Sequence, residues 1–215
     1  MMYLPYLLFF LFLLTGLPIA AQQEATYAQY MFNGLAINPA YAGQHEALSV
    51  SALSRFQNIG LPGAPTTQTF AIHSPLMKQR FAVGALFVHD RLGVIDQTEF
   101  SGIYAYRLPV TENSTLSFGI QAGISKYSAQ YTRLDTYQAD PIFSQDIVET
   151  RPNIGTGVFY SHLKWYVGLS MPHMVNNIFT RGNNLTSIKQ SFPVILTGGY
   201  VFPISRSIRF KPNAL

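Results

Sequence analysis

Cysteine is absent from the chain, which excludes a disulfide framework and thiolate metal sites. Charge is scarce as well: Asp, Glu, Lys and Arg together make up 11% of the residues, well under the ~25% usual in a soluble domain. No apolar run of ~20 residues follows the N-terminus, and this excludes a bundle of membrane-spanning helices. The hydrophobic share, 48%, is nevertheless ordinary. Scarce charge at ordinary hydrophobicity describes a surface that need not meet water everywhere. The net charge of +4 comes from 14 Lys and Arg against 10 Asp and Glu. These basic residues are scattered singly, without the clustering that nucleic-acid binding needs, so nucleic acid is excluded as a partner.

The chain does have an exported protein's opening. In Met1–Ala21 an apolar run, Leu7 to Leu14, is followed by Thr15-Gly16-Leu17-Pro18 and then Ile19-Ala20-Ala21. This matches the apolar core and small-residue end of a signal peptide, with Gln22 starting the mature chain. Pro5, Gly16 and Pro18 leave a helical stretch too short to span a bilayer comfortably.

From residue 46 to residue 215 the dominant pattern is alternation with period two. In Thr115–Ser125, Leu116, Phe118, Ile120, Ala122 and Ile124 share one face, while Ser117, Gly119, Gln121 and Gly123 share the other. Successive side chains of a strand point to opposite faces, so one face can meet lipid and the other a polar interior. Similar runs fall at 46–57, 66–73, 80–90, 98–107, 153–162, 164–170, 192–202 and from about Ser207. In 80–90 both faces are apolar or small, which predicts a strand packed on both sides. The expected fold is an all-β, antiparallel, up-and-down transmembrane β-barrel of about nine strands.

Short turn signals separate most strands, including Ser74-Pro75, Leu108-Pro109 with Glu112-Asn113, and Ser161 to Lys164. The two longest connections, 131–151 and 172–190, are polar. Long loops on one side and short turns on the other are the asymmetry of a membrane barrel. Tyr104, Tyr106, Tyr127, Tyr131, Phe159, Tyr160, Trp165, Tyr166, Tyr200 and Phe202 gather near strand ends, as an interfacial aromatic girdle would. A soluble β-sandwich or lipocalin-like barrel also alternates. The girdle and the strands of about ten residues weigh against it. Arg55, Gln57, Gln68, Glu99, Arg107 and Gln121 are expected to face the interior, since a charge on the lipid face costs ~2–4 kcal/mol at mid-membrane.

Residues 22–45 do not alternate. Tyr27, Tyr30, Met31 and Leu35 could line one or two helical turns, which Asn38-Pro39 would stop. By its physics this segment either fills the barrel or rests on its periplasmic rim.

The same segment carries a resemblance. Tyr30-Met31-Phe32-Asn33, then Leu35, then Ile37-Asn38-Pro39-Ala40-Tyr41-Ala42-Gly43, resembles the opening signature of the PorP/SprF family. These are outer-membrane proteins of the type IX secretion system of Bacteroidetes. The match continues in Gly63–Thr69, in His73-Ser74-Pro75, in Ser117-Phe118-Gly119 and in Gly168–His173. The resemblance implies an outer-membrane β-barrel that supports secretion of proteins bearing a type IX C-terminal signal, gliding adhesins among them. It implies periplasmic ring and motor components as partners, with outer-membrane lipid around the barrel. Members of the family run on for several more strands, and single-chain bacterial barrels have even strand numbers. The barrel in this chain is therefore expected to be incomplete at its C-terminal end.

No motif in the chain carries catalysis. His45, His73, His89, His162 and His173 form no metal-binding pair. There is no nucleophile elbow. Gly155-x-Gly157 lacks a third glycine and a following helix, so it reads as a strand packing feature. The acidic stretch from Asp135 to Glu149 has no EF-hand spacing and reads as a solvated loop. No cofactor or metal is expected. The alternative function is an outer-membrane transport barrel for a small hydrophobic or polar solute.

Overall fold

The structure is a computed structural model that describes residues 33–76, 80–133, 145–175, 194–205 and 208–215. Residues 1–21, where a signal peptide is expected, the motif residues Tyr30, Met31 and Phe32, and most of the two long connections lie outside the described residues.

Among the described residues eleven strands follow one another: β1 Ser49–Phe56, β2 Thr66–Leu76, β3 Phe81–Leu92, β4 Ile95–Thr111, β5 Ser114–Ala129, β6 Ile147–His162, β7 Trp165–Met171, β8 Ile195–Tyr200, β9 Phe202–Pro203, β10 Arg209–Phe210 and β11 Asn213–Ala214. Nine of them form one sheet in the order β1-β2-β3-β4-β5-β6-β7-β8-β11, and β9 pairs with β10 in a small ribbon. Every pairing is antiparallel. The sheet curls into a half-barrel whose edges, among the described residues, are β1 and β11. No described helix is long and apolar enough to cross a membrane.

The alternation in the sequence becomes two distinct surfaces. Ladder pairing aligns Phe81, Tyr106, Phe118 and Val158 in one outward row, and Phe87, Phe100, Ile124 and Pro152 in another. Between them the convex face is apolar except for Thr156, carrying Val83, Tyr104, Ile120 and Ile154. Beyond the second row the same face turns polar at His89, Thr98, Lys126 and Thr150. The two rows enclose seven residues of each strand; with the next row, Leu108, Leu116 and Tyr160, the band takes in nine, the lower end of the 9–11 that a tilted strand needs to cross a bilayer. β4 has 17 residues and β5 and β6 have 16 each, so these strands continue past the band.

Aromatic side chains meet near the short-turn end. Phe81 and Tyr106 have ring centroids 5.4 Å apart, Tyr160 stacks on Trp165 at 5.1 Å, and Tyr200 lies 4.4 Å from Phe202. Three residues expected in the girdle turn inward instead: Tyr127, one position from outward Lys126 and in register with Gln97 and Glu149, and the pair Phe159 and Tyr166. Phe159 and Tyr166 share the concave face and stack at 5.3 Å. Their parity decides it: each stands one position from an outward neighbour, Tyr160 and Trp165.

Prolines do not end the strands where expected. β4 runs through Leu108-Pro109 and absorbs the irregularity as a bulge between Pro109 and Thr111. β6 starts at Ile147, so 147–151 belongs to a strand rather than to the long loop. Pro152 is tolerated because β7 pairs with β6 only from Thr156 to Ser161, leaving Pro152 on an unpaired flank.

Residues 33–46 pack on the concave face as two 3₁₀ turns, Gly34–Ala36 and Pro39–Tyr41. Asn38 caps the second turn, its Oδ1 accepting from the Ala40 amide at 2.9 Å. Pro39 suits the first position of that turn. Leu35, Ala36 and Ala42 form one apolar cluster with Ala71, Ala82, Leu86, Val88, Ile103 and Ala105. This explains the two-sided apolar character of β3: one face is the convex band, and the other is covered by the N-terminal segment.

Candidate functional site

The concave face has an apolar half, β2 to β4, and a half of glycine and polar residues, β5 to β8. Asn38 binds the second half. Its Nδ2 donates to the Val158 carbonyl at 3.0 Å and approaches the Leu169 carbonyl at 3.5 Å. The Ser170 hydroxyl donates to the Ile37 carbonyl at 2.8 Å. Three inward glycines leave room for this turn. A Cβ at Gly119 would overlap the backbone of Pro39 and Ala40, one at Gly157 would overlap the Asn38 amide, and one at Gly168 would crowd it. The segment and the wall are shaped to each other.

Gly43 closes the turn with a left-handed φ of 77°, and a Cβ there would lie 2.7 Å from that of Ala82. Its amide donates to His73 Nδ1 at 3.0 Å, which places the ring hydrogen on Nε2. The Tyr41 ring packs edge-on against His45, His73 and Phe159, with centroids 5.8, 6.0 and 5.5 Å away.

A second cluster lies further along the interior. Glu99 of β4 is buried and accepts from Asn153 Nδ2 at 2.8 Å and from the Ser101 hydroxyl at 3.1 Å. His173 Nε2 stands 3.1 Å from its other oxygen. Beside it, Gln121 Nε2 donates to the Pro172 carbonyl at 2.9 Å, and the Met174 amide donates to the Ile154 carbonyl at 2.8 Å. The start of the β7–β8 connection is thereby folded inward and pinned to β4, β5 and β6. The carboxylate has hydrogen-bond partners on both oxygens, and a buried charge needs such partners. No group of three metal-ligating side chains occurs among the described residues.

The residues expected to face inward divide into sets. Glu99, Arg107 and Gln121 lie on the concave face and are buried. Glu99 and Gln121 meet around Pro172 and His173. Arg107 stands apart, with its Cδ 3.3 Å from where a Gly43 Cβ would lie, and it interacts electrostatically with Glu46. Arg55 and Gln57 sit on the inward parity of the edge strand, half-buried. Gln68 is corrected: it lies exposed on the convex side, in line with Phe70, while Thr69, Ala71 and His73 take the concave side. The threonines flanking it at 66, 67 and 69 make both faces polar there, so the parity of β2 is legible only from Ala71 onward. Of the motif residues described, Asn33, Asn38, Pro39 and Ala40 are buried against the wall.

Sequence reasoning missed Asn153, Ser101 and His173 as partners of Glu99. It also missed His73 and the three wall glycines as the seat of the N-terminal turn. The inward parity of Ser101, Gly119 and Gly157 was available in the alternation. Which of them the segment would touch depends on curvature that a linear pattern does not carry.

In the long connections, Asp146 is exposed and accepts from both the amide and the hydroxyl of Thr132, at 3.0 and 2.9 Å. These bonds hold its carboxyl below the usual carboxylate range.

A family model described as type IX secretion system membrane protein PorP/SprF matches residues 19–215 of the chain. No curated protein and no solved structure matches it.

Proposed function

The chain belongs to the PorP/SprF family of type IX secretion system membrane proteins, and from that premise we propose that it is an outer-membrane barrel that supports the secretion or surface anchoring of proteins bearing a type IX C-terminal signal, such as gliding adhesins. The family is one of secretion-system membrane components, not of enzymes. The observation that carries the proposal is the seating of Asn38–Gly43 on a glycine-lined wall, beneath an apolar convex band. A barrel whose interior is occupied by its own segment is suited to docking proteins rather than to passing small solutes. In this reading residues 22–45 act as a plug, and Met1–Ala21 directs export. The short turns face the periplasm, as they do in outer-membrane barrels. The periplasmic ring and motor components approach that side, and secreted proteins with type IX C-terminal domains are the cargo.

Deletion of the gene tests this. Retention of a secreted adhesin or protease in the cells, with normal uptake of small solutes, is the expected result. Normal secretion with a defect in solute uptake contradicts it.

A further inference from the structure

We infer that a cavity at the short-turn end of the interior binds the free carboxylate of a polypeptide chain. The cavity measures about 260 Å³ and lies between the N-terminal segment and the turn joining β6 to β7. Its charged lining is two lysines, Lys164 and Lys211, joined by the imidazoles of His45 and His162, with no carboxylate among the lining residues. Neither lysine forms an ion pair with a described acidic residue. The Lys211 ammonium lies 5.2 Å from the centre of the Tyr166 ring. Tyr166 stacks on Phe159, which meets Tyr41 edge-on, so the floor is aromatic. Two lysines beside an aromatic floor suit a compact anion attached to an apolar residue, as at the end of a peptide. A peptide is favoured over a lipid headgroup because the floor belongs to the concave face, whereas acyl chains would sit on the convex one. The choice of a polypeptide rests on the secretion function proposed above; the attraction for an anion does not.

Trp165, the chain's single tryptophan, borders the cavity between Lys164 and Tyr166 while its ring turns outward onto Tyr160 at 5.1 Å, so its emission reports on the turn that carries Lys164. The full chain, folded in detergent micelles, is titrated with a tetrapeptide ending in a free carboxylate, with its C-terminal amide and with inorganic phosphate. The free acid is expected to change the emission saturably, with an affinity at least about tenfold above that of the amide. Added salt is expected to weaken it. The Lys164→Gln/Lys211→Gln double variant is expected to lose the response while keeping the heat-modifiable migration of a folded barrel. Three results would overturn the inference: equal binding of acid and amide, no saturable change, or saturation by phosphate at the same concentrations. It also fails if Glu24→Gln alone shifts the emission without peptide, because the chain would then fill its own cavity. In cells the two proposals separate. Cargo release lost on gene deletion but intact in the double variant sinks the carboxylate site alone, whereas normal release on deletion sinks the secretion function.

Discussion

Asn38 and Val158 lie 120 positions apart in the chain, and the Asn38 amide donates to the Val158 carbonyl at 3.0 Å. The contact exists because Gly157, next to Val158, presents no side chain to the interior. It ties the N-terminal segment to the wall of the barrel.

Filling that space should therefore displace the segment. Gly157→Ala and Gly119→Ala each put a methyl group where Asn38 or Ala40 already sits, and overpacking of this kind costs about 1–3 kcal/mol. Gly102→Ala is the control, since its Cβ would meet nothing nearer than the Ala122 carbonyl oxygen at 3.8 Å. Unfolding midpoints in detergent should fall for the first two and stay level or rise for the third. Equal behaviour of all three would show that the segment is not seated there.

Glu99 offers a second test. Glu99→Ala leaves Asn153 and Ser101 without their acceptor, and a buried polar group left unmatched costs about 1–3 kcal/mol. Adding Asn153→Ala to that background should cost clearly less than Asn153→Ala alone, because the two residues share one hydrogen bond. Strict additivity in a double-mutant cycle would contradict the network.

Acidification should loosen the β5–β6 connection through Asp146. Its carboxyl titrates below its ordinary range in the folded chain because Thr132 donates to the charged form. The contribution is therefore complete above that ordinary range and disappears as pH falls through the lowered value. Hydrogen exchange at the Thr132 amide should show protection at neutral pH that is lost on acidification. In Asp146→Asn the protection should not vary with pH over that range.

How far the sequence carried the account can be seen strand by strand. In β5 the sequence Leu116, Phe118, Ile120, Ala122, Ile124 identified the convex face without ambiguity, because every second residue is apolar and each partner is small or polar. β2 is ambiguous where Thr66, Thr67, Gln68 and Thr69 give both faces the same chemistry, and there Gln68 lies on the convex side rather than the inward side expected of it. β6 begins at Ile147 rather than at the expected Asn153, because Glu149, Thr150 and Arg151 are polar on both faces and Pro152 follows them. Whether a proline breaks a strand depends on which neighbour needs its missing N–H, and that is a property of the sheet. The motif from Asn38 to Gly43 stood out as a unit. Its seat on Gly119, Gly157, Gly168 and His73 draws on four strands, β2, β5, β6 and β7, whose proximity follows only from the closed-up register.

The convex band can be probed energetically. Ile120→Arg places a charge in the middle of the apolar band, where the cost in a bilayer is about 2–4 kcal/mol. Refolding into lipid vesicles should be impaired to that degree, while Lys126→Arg, beyond the band, should be neutral. A neutral Ile120→Arg would show that this face does not meet acyl chains.

The most direct measurement uses the absence of native cysteine. Single cysteines placed in turn at 116, 117, 118, 120, 121, 122 and 124 of β5, with Gly119 and Gly123 kept because a Cβ at either would overlap neighbouring backbone, carry a spin label in the chain reconstituted in lipid vesicles, and its collisions with dissolved oxygen and with a water-soluble nickel complex are recorded. A period of two is expected: oxygen-rich, nickel-poor values at 116, 118, 120, 122 and 124, and low collision rates with both reagents at 117 and 121. Nickel-rich values at 118, 120 and 122 would contradict it, because the apolar face would then be turned to water.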